Sequence, residues 1–264
     1  MQQIKPPTDT ILQPVLAQLE KLQGEVHVLR TLVTHLTNLV AEHVVDPDKL
    51  QNIVTGAWIE AKPNKDLTWS VDMNGKNFLD LMLKTTLDGT LGDVIEVGPG
   101  YGRVLSTLLE REQQTGQRMF KSYLGIDLSQ ENVDYLAATF GSDRIAFVQG
   151  DFHTVKLQGQ YDTVYASAVF MHLFPDLTEA ARRAHKLLRD TGRLCFDVPP
   201  GDFSYIDPGF KLFVKHYSKP YLHGYIATAG FTYCTVEREA DFAPDSEGWF
   251  VSASKQPLPA CAPA

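Results

Sequence analysis

The amino-acid sequence predicts an α/β domain built on a mostly parallel sheet, preceded by a long N-terminal helix. Short apolar runs end in acidic residues, and helical patterns and turn residues lie between them. Such alternation is typical of repeated strand and helix units, whose strands run parallel. A separate heptad pattern occupies the first quarter of the chain and predicts the helix.

The first strand unit carries the strongest functional signal. The apolar run 94–97 contains Glu96 and leads into three alternating glycines, Gly98, Gly100 and Gly102. Glycines tolerate positive φ and have no Cβ, so the backbone N–H groups that open the next helix can face a polar ligand. This turn, followed by a helical stretch at 104–112, predicts a site for a nucleotide-like cofactor.

The second strand, 123–128, ends in Asp127, whose carboxylate can accept hydrogen bonds from both hydroxyls of a ribose. Ser129 follows as a predicted cap for the next helix. An aspartate in this place can also serve only the helix cap, and both interpretations stay open here.

Two further strands end in residues suited to the same ligand. The run 145–152 ends in Asp151 and Phe152, which suit an exocyclic amine and a purine face, although Phe152 can equally be a core residue. The fourth strand starts at 161 and continues through Ser167 into a loop that contains His172. Because ligands of open α/β sheets bind outside the carboxyl ends of the strands, we expect one common site.

The remaining elements complete the predicted sheet. A helical pattern at 177–188 precedes a fifth strand at 193–198, and two strands are expected at 232–239 and 248–255. A further helix is predicted at 77–84.

In their order, these features resemble the class I S-adenosylmethionine-dependent methyltransferases over residues 85–255. The resemblance implies a Rossmann-like three-layer sandwich with a seven-stranded, mostly parallel sheet that ends in an antiparallel hairpin. It also implies that Glu96 helps to hold the methionine amino group, and that Asp127 holds the ribose while Leu128 packs on the adenine. The cofactor-binding residues are then Glu96, Gly98, Gly100, Gly102, Asp127, Leu128, Asp151, Phe152 and Ser167.

Methyl transfer is an in-line displacement, in which the protein aligns the acceptor and can take the proton of a hydroxyl. We expect His172 to be this base, because it follows the fourth strand and imidazole titrates near neutral pH. A histidine at this place is also frequent in the family without being catalytic. The stretches 202–205 and 216–225 are further candidates for the acceptor pocket, and amphipathic packing is the alternative for them. A hydroxyl of a small molecule or glycan is the expected acceptor.

Two other functions remain open. An NAD(P)-dependent oxidoreductase also uses a glycine-rich first turn, but Arg103 stands where the third glycine of the dinucleotide fingerprint is expected. The domain could instead be a degenerate methyltransferase fold that serves as a coiled-coil scaffold. The sequence gives no support for a metal site.

Composition narrows the class of protein. The 264 residues carry a net charge of −8, which argues against a nucleic-acid backbone as partner. Three scattered cysteines lack the spacing of metal ligands, and no apolar stretch is long enough for a membrane span. We therefore expect a cytoplasmic enzyme with reduced thiols and a small-molecule or glycan acceptor.

The N-terminal helix is predicted to be a coiled coil. Apolar residues alternate at intervals of three and four from Leu12 to Val40, with valine at position a and leucine at position d from Leu22 onward. This pattern favours a homo-oligomer, a dimer first, through residues 11–44. The alternative is a helix that folds back on its own domain.

The expected domain organisation has four parts. The coil occupies 1–46, a connecting segment with Trp58 and Trp69 occupies 47–90, the methyltransferase domain 91–255 and a loose tail 256–264. In the resembled family the connecting segment often covers the cofactor, and 69–75 has the composition of such a lid. A tryptophan in this segment can equally belong to the core.

Overall fold

One seven-stranded sheet organises the described part of the chain. The structure is a computed structural model, and it describes residues 18, 22, 26, 55–63, 75–207, 212–243 and 246–257. Its helices are α1 (Lys76–Lys84), α2 (Arg103–Thr115), α3 (Gln130–Phe140), α4 (Thr178–Leu187) and α5 (Lys219–Thr228). Its strands are β1 (Asp93–Val97), β2 (Ser122–Asp127), β3 (Ile145–Gln149), β4 (Tyr161–Ala166), β5 (Leu188–Val198), β6 (Ser204–Ile206), β7 (Phe213–Lys215), β8 (Tyr233–Ala243) and β9 (Ser246–Ser254).

The strand order in the main sheet is β3-β2-β1-β4-β5-β9-β8. The first five strands pair in parallel, whereas β9 is antiparallel to both β5 and β8. This arrangement confirms the predicted fold class, including the antiparallel hairpin that completes the sheet. The chain crosses from β3 at one edge to β4 beside β1, so the order of strands reverses next to β1.

The core has two parts. One cluster joins the central strands to apolar residues of α4 and α5, including Ala181, Ala184 and Ile226. The other joins the sheet to α1 and α2 through buried residues such as Phe78 and Leu105. Helices therefore pack on the sheet in two separate clusters, as a three-layer sandwich requires.

The segment between β5 and β8 differs from the sequence prediction. Stretches 202–205 and 216–225 were expected to line an acceptor pocket, but they form parts of the β6–β7 hairpin and of helix α5. Leu222 and Ile226 bury one side of α5 in the core. The helix supplies the crossover that leads from β5 to the final antiparallel pair.

Most of the predicted coiled coil and the expected lid at 69–74 lie outside the described residues. Residues 18, 22 and 26 are helical, and the side chains of Leu22 and Val26 are 51% and 48% exposed. Among the described residues, no helix is long and apolar enough to cross a membrane.

Candidate active site

A deep cleft lies at the carboxyl ends of β1, β2, β3 and β4, where the strand order reverses. Ligands of open α/β sheets bind at such a point. The lining includes eight of the nine predicted cofactor residues: Glu96, Gly98, Gly100, Asp127, Leu128, Asp151, Phe152 and Ser167. His172 lines the same cleft, together with Thr55, Trp58, Ala61 and Lys62 of the connecting segment.

The glycine loop between β1 and α2 needs two of its glycines for different reasons. Gly98 has φ of 67°, and a Cβ there would lie 2.7 Å from Cγ2 of Val169. Gly100 has φ of 58°, and no described atom lies within 4 Å of the place of its Cβ. Close packing against Val169 explains the first glycine, and positive φ beside open cleft space explains the second.

Gly102 does not line the cleft. It is the N-cap of α2 with φ of 86°, and a Cβ there would lie 2.6 Å from the Phe140 ring. Gly102 therefore allows α2 to pack closely against α3.

Asp127, at the end of β2, holds the glycine loop and the start of α3 together. One carboxylate oxygen accepts from the backbone N–H of Gly100 at 3.0 Å. The other accepts from the N–H of Ser129 at 2.9 Å and from the side chain of Asn132 at 3.2 Å. Burial raises the pKa of Asp127, while these hydrogen bonds oppose the shift. Asp127 thus supports the start of α3 and also lines the cleft.

Ser129 caps α3 and also holds the connecting segment. Its hydroxyl accepts from the N–H of Asn132, as the sequence predicted for a cap. The same hydroxyl donates to the carbonyl of Ala61 at 2.5 Å. Through this bond, the segment 55–63 is held against the cleft next to Asp127.

Glu96 is buried on β1 and is held by two hydroxyls. Tyr123 and Tyr165, on the flanking strands β2 and β4, both donate to Oε2 of Glu96. Burial raises the pKa of Glu96 to about 7, although the two tyrosine hydrogen bonds favour the ionised form. A positively charged ligand group in the cleft would stabilise the carboxylate.

Asp151 and Phe152 lie beyond the end of β3. Asp151 accepts from the backbone N–H of His153 at 2.8 Å and contacts the His153 ring at 2.9 Å. The ring contact lowers the pKa of Asp151, which keeps this carboxylate ionised at neutral pH. Phe152 is buried in the core and also lines the cleft, with the Arg183 guanidinium 5.5 Å from its ring centre. Phe152 is therefore a core residue that also lines the cleft, and its contact with a purine stays a prediction.

A buried network fixes the turn after β4. Arg103 donates to the hydroxyl of Ser167 at 2.5 Å, and that hydroxyl donates to Asp197 of β5 at 3.0 Å. Asp197 also accepts from the backbone N–H of Ala168, which has φ of 58°. A positive φ is strained for alanine, and the Asp197 contact holds it. Burial raises the pKa of Asp197, and the Arg103 charge opposes that shift.

His172 is buried at the far side of this turn. Its Nδ1 lies 2.7 Å from the carbonyl oxygen of Phe213, and its ring centre lies 4.9 Å from that of Trp58. Burial lowers the pKa of His172 to about 4, so the imidazole is neutral at pH 7. Because a carbonyl can only accept, Nδ1 carries the proton and Nε2 carries the lone pair. The expectation that this imidazole titrates near neutral pH is not met.

The other acceptor candidates do not line the cleft. Phe203 stacks on His216 with 4.1 Å between ring centres, and Nδ1 of His216 lies 2.8 Å from the carbonyl oxygen of Pro200. Tyr217 is buried in the core, and His223 is exposed on α5. These aromatic residues support the β6–β7 hairpin and α5.

Sequence reasoning missed several residues of the site. Arg103 directly follows the glycine motif and Asp197 ends β5, so the pattern of acids at strand ends could have indicated Asp197. Tyr123 and Tyr165 lie within strands, and no local pattern marks them as partners of Glu96. Among the described residues, no cluster of three or more His, Cys, Asp or Glu side chains could hold a metal ion.

Comparison with known proteins finds similarity to methyltransferases. A family model described as "Methyltransferase domain" matches residues 95–196. Highly reducing polyketide synthase 2 of Gibberella zeae is 33% identical over 114 residues, or 38% of this chain, and the matched part is only 4% of that protein.

Two solved structures resemble the chain in fold. One is the 1,6-didemethyltoxoflavin-N1-methyltransferase of Burkholderia thailandensis with bound 1,6-didemethyltoxoflavin and S-adenosylhomocysteine. Its TM-score is 0.64 at 20% identity, and the match covers 81% of this chain and 92% of that chain. Human N-acetylserotonin methyltransferase in complex with S-adenosylmethionine has a TM-score of 0.52 at 14% identity, covering 70% of this chain and 52% of its own. Residues 95–196 are thus similar in sequence to a methyltransferase domain, and the seven-stranded sheet is similar in fold to these two structures.

Proposed function

We propose that the chain binds S-adenosylmethionine in the cleft and transfers its methyl group to a hydroxyl of a small molecule. The observation that carries this proposal is the convergence of eight predicted cofactor residues and His172 on one cleft. The structures of relatives with bound S-adenosylmethionine or S-adenosylhomocysteine support the choice of cofactor.

The chemistry of the cleft fits this cofactor. S-adenosylmethionine offers an ammonium group, two ribose hydroxyls and an exocyclic amine, all hydrogen-bond donors. Three carboxylates line the cleft, Glu96, Asp127 and Asp151, and the open space at Gly100 leaves room beside the loop backbone. We assign the ammonium group to Glu96, the ribose to Asp127 and the adenine to Leu128, Asp151 and Phe152.

The same charges disfavour a dinucleotide. A diphosphate needs N–H donors and cations, whereas acids outnumber the cleft's cationic side chains, Arg103 and Lys62. The Arg103 guanidinium is also engaged by Ser167. An NAD(P)-dependent oxidoreductase is therefore the weaker candidate.

When bound, the cofactor supplies a methyl group on a positively charged sulfur, which makes the methyl carbon an electrophile. We assign His172 to the acceptor hydroxyl, since the Phe213 carbonyl orients the ring and leaves Nε2 as the accepting nitrogen. With a pKa of about 4, this nitrogen is unprotonated at neutral pH, so it accepts the hydroxyl hydrogen bond and takes up the hydroxyl proton as the oxygen gains the methyl group.

We also propose that the chain forms a homo-oligomer through residues 11–44. The exposure of Leu22 and Val26, which occupy successive d and a positions, supports it.

Calorimetric titration of the full chain tests the proposed function. We expect micromolar binding of S-adenosylmethionine and S-adenosylhomocysteine, and much weaker binding of NAD. Gly98→Arg would clash with Val169, and Asp127→Ala would remove the carboxylate, so each should weaken S-adenosylmethionine binding at least tenfold. The exposed control Asp143→Ala should bind normally.

The titration also separates the alternatives. Binding of neither sulfur compound by the folded chain would leave the scaffold function, and tight binding of NAD would leave the oxidoreductase. Normal affinity in both Gly98→Arg and Asp127→Ala would overturn the assignment of these residues.

A further inference from the structure

The connecting segment brings an unused hydrogen-bond donor to the cleft. Trp58 lines the cleft, and its indole Nε1 is buried without a hydrogen-bond partner among the described residues. A buried N–H group that makes no hydrogen bond lowers stability, because it has lost its hydrogen bonds to water. A ligand that accepts from Nε1 would remove this cost.

The position of Trp58 identifies the end of the cleft that it serves. Its ring lies 4.9 Å from the His172 ring, measured between centres, at an interplanar angle of 54°. Ala61, three residues later, is instead bonded to Ser129 next to Asp127. The connecting segment thus runs from the ribose-binding side to the side of His172, and Trp58 belongs to the latter.

Apolar residues adjacent to His172 in the sequence form part of the cleft wall. The loop after β4 contributes Ala168, Val169 and Leu173 to the cleft, and His172 is neutral at pH 7. An apolar wall with few polar groups suits a flat, neutral molecule. A glycan, with many hydroxyls to satisfy, suits it poorly.

The two polar groups have complementary roles. The Trp58 indole is a donor only, whereas Nε2 of the His172 ring is an acceptor because Nδ1 faces the Phe213 carbonyl. A ligand that satisfies both must offer one acceptor and one donor.

We propose that Trp58 and His172 form the acceptor subsite, and that this subsite selects a planar aromatic or enolic molecule carrying one hydroxyl and one carbonyl oxygen. The hydroxyl donates to His172 and the carbonyl accepts from Trp58. This inference rests on the proposed function, since it names the substrate class of the same cleft.

Matched pairs of probes test the subsite. We would use 3- and 4-hydroxyacetophenone, with 3- and 4-ethylphenol as partners in which a methylene replaces the carbonyl. Affinities are measured by calorimetry on the full chain with saturating S-adenosylhomocysteine, whose own binding is recorded first. That first titration reports on the proposed function, and the probe pairs report on the subsite.

The informative variant is Trp58→Phe, which keeps an aromatic ring and removes the N–H group. We expect it to weaken binding of the better hydroxyacetophenone about tenfold, and to change its ethylphenol partner by less than about twofold. Trp249→Phe is the control, because its indole already donates to the Tyr217 carbonyl at 3.0 Å outside the cleft. That control should change neither affinity.

The His172 half of the subsite has its own readout. His172→Phe removes the acceptor nitrogen and should weaken the ketone and the phenol by similar factors.

Several results would overturn the inference while S-adenosylhomocysteine still binds. One is equal weakening of both members of a pair by Trp58→Phe, and another is no effect on either. Failure of all four probes to bind the wild-type chain would remove the substrate class. A matching loss of S-adenosylhomocysteine affinity in Trp58→Phe would place Trp58 in the cofactor site instead.

Discussion

At the scale of single residues, the cleft contains two buried titratable groups whose pKa values shift in opposite directions. Burial raises the pKa of Glu96 to about 7 and lowers that of His172 to about 4. Both shifts favour the uncharged form, because an apolar surrounding disfavours charge. As the pH rises, stability therefore falls through Glu96 between about 4.5 and 7 and rises through His172 between about 4 and 6.5.

Glu96 should make the ligand-free protein less stable as the pH rises. Its folded-state pKa lies above the value of 4.5 expected in the unfolded chain, so its contribution is fully present below pH 4.5 and is lost as the pH rises through 7. A shift of this size corresponds to about 3 kcal/mol. From pH 5 to pH 8, the free energy of unfolding of Glu96→Gln should consequently rise by about 2 kcal/mol relative to that of the wild type.

Urea unfolding at pH 5 and pH 8 measures this difference. The exposed Glu131→Gln should follow the wild-type pH trend, and a Glu96→Gln variant that does the same would contradict the prediction. The variant should also bind S-adenosylmethionine more weakly, since an amide replaces the carboxylate assigned to the ammonium group. A gain in stability with a loss of binding is expected where a buried charge serves function.

The site residues that could be predicted from the sequence were those marked by local patterns. Glycines at fixed spacing and acids at strand ends can be recognised without knowing the fold, and all of these predicted residues except Gly102 line the cleft. Strand pairing brings Tyr165 to Glu96, and the path of the connecting segment brings Trp58 to the cleft. Such long-range contacts leave no local mark in the sequence.

At the scale of elements, Ser129 couples helix α3 to the connecting segment. Ser129→Ala removes the N-cap hydrogen bond and leaves the Ala61 carbonyl without the serine hydroxyl. We expect a loss of about 1 kcal/mol in the free energy of unfolding. Amide exchange in 55–63 should also become faster, because the bond to Ala61 holds this segment.

Ser218→Ala is the matched control for this change. Ser218 is the N-cap of α5, but its side chain makes no capping hydrogen bond. It should lose less stability and leave exchange in 55–63 unchanged. Equal losses in the two variants, with unchanged exchange in both, would show that Ser129 does not hold the segment.

Element positions were predictable where apolar periodicity was strong. Strands β1, β2 and β4 and helix α4 lie within a few residues of the predicted ranges. The helix in the aromatic and histidine-rich stretch after β5 was not predicted, because α5 buries only Leu222 and Ile226 and so gives a weak helical pattern.

At the scale of the whole molecule, the strand order follows from the repeated units and their short connections. Parallel strands require crossovers, and helices α2, α3 and α4 supply three of them, whereas the described connection between β3 and β4 contains no helix. The antiparallel β8–β9 hairpin was expected from the family resemblance. Strand β9 joins it to the parallel strands by pairing antiparallel with β5. We propose that the predicted N-terminal helix sets the number of chains in the native assembly.

The coiled-coil proposal predicts that the full chain is a dimer in solution, of about 59 kDa by light scattering, twice the 29.5 kDa of one chain. Leu22 and Val26 are half exposed in the single chain, so packing against its own domain does not bury them. The double variant Leu22→Glu with Val26→Glu should give a monomer, because two carboxylates would enter the seam. Its affinity for S-adenosylmethionine should stay unchanged, since neither residue lines the cleft. Lys21→Glu makes the same change in net charge at position c, outside the seam, and should remain a dimer. A monomeric wild type, or an unaltered mass in the double variant, would rule out assembly through this helix.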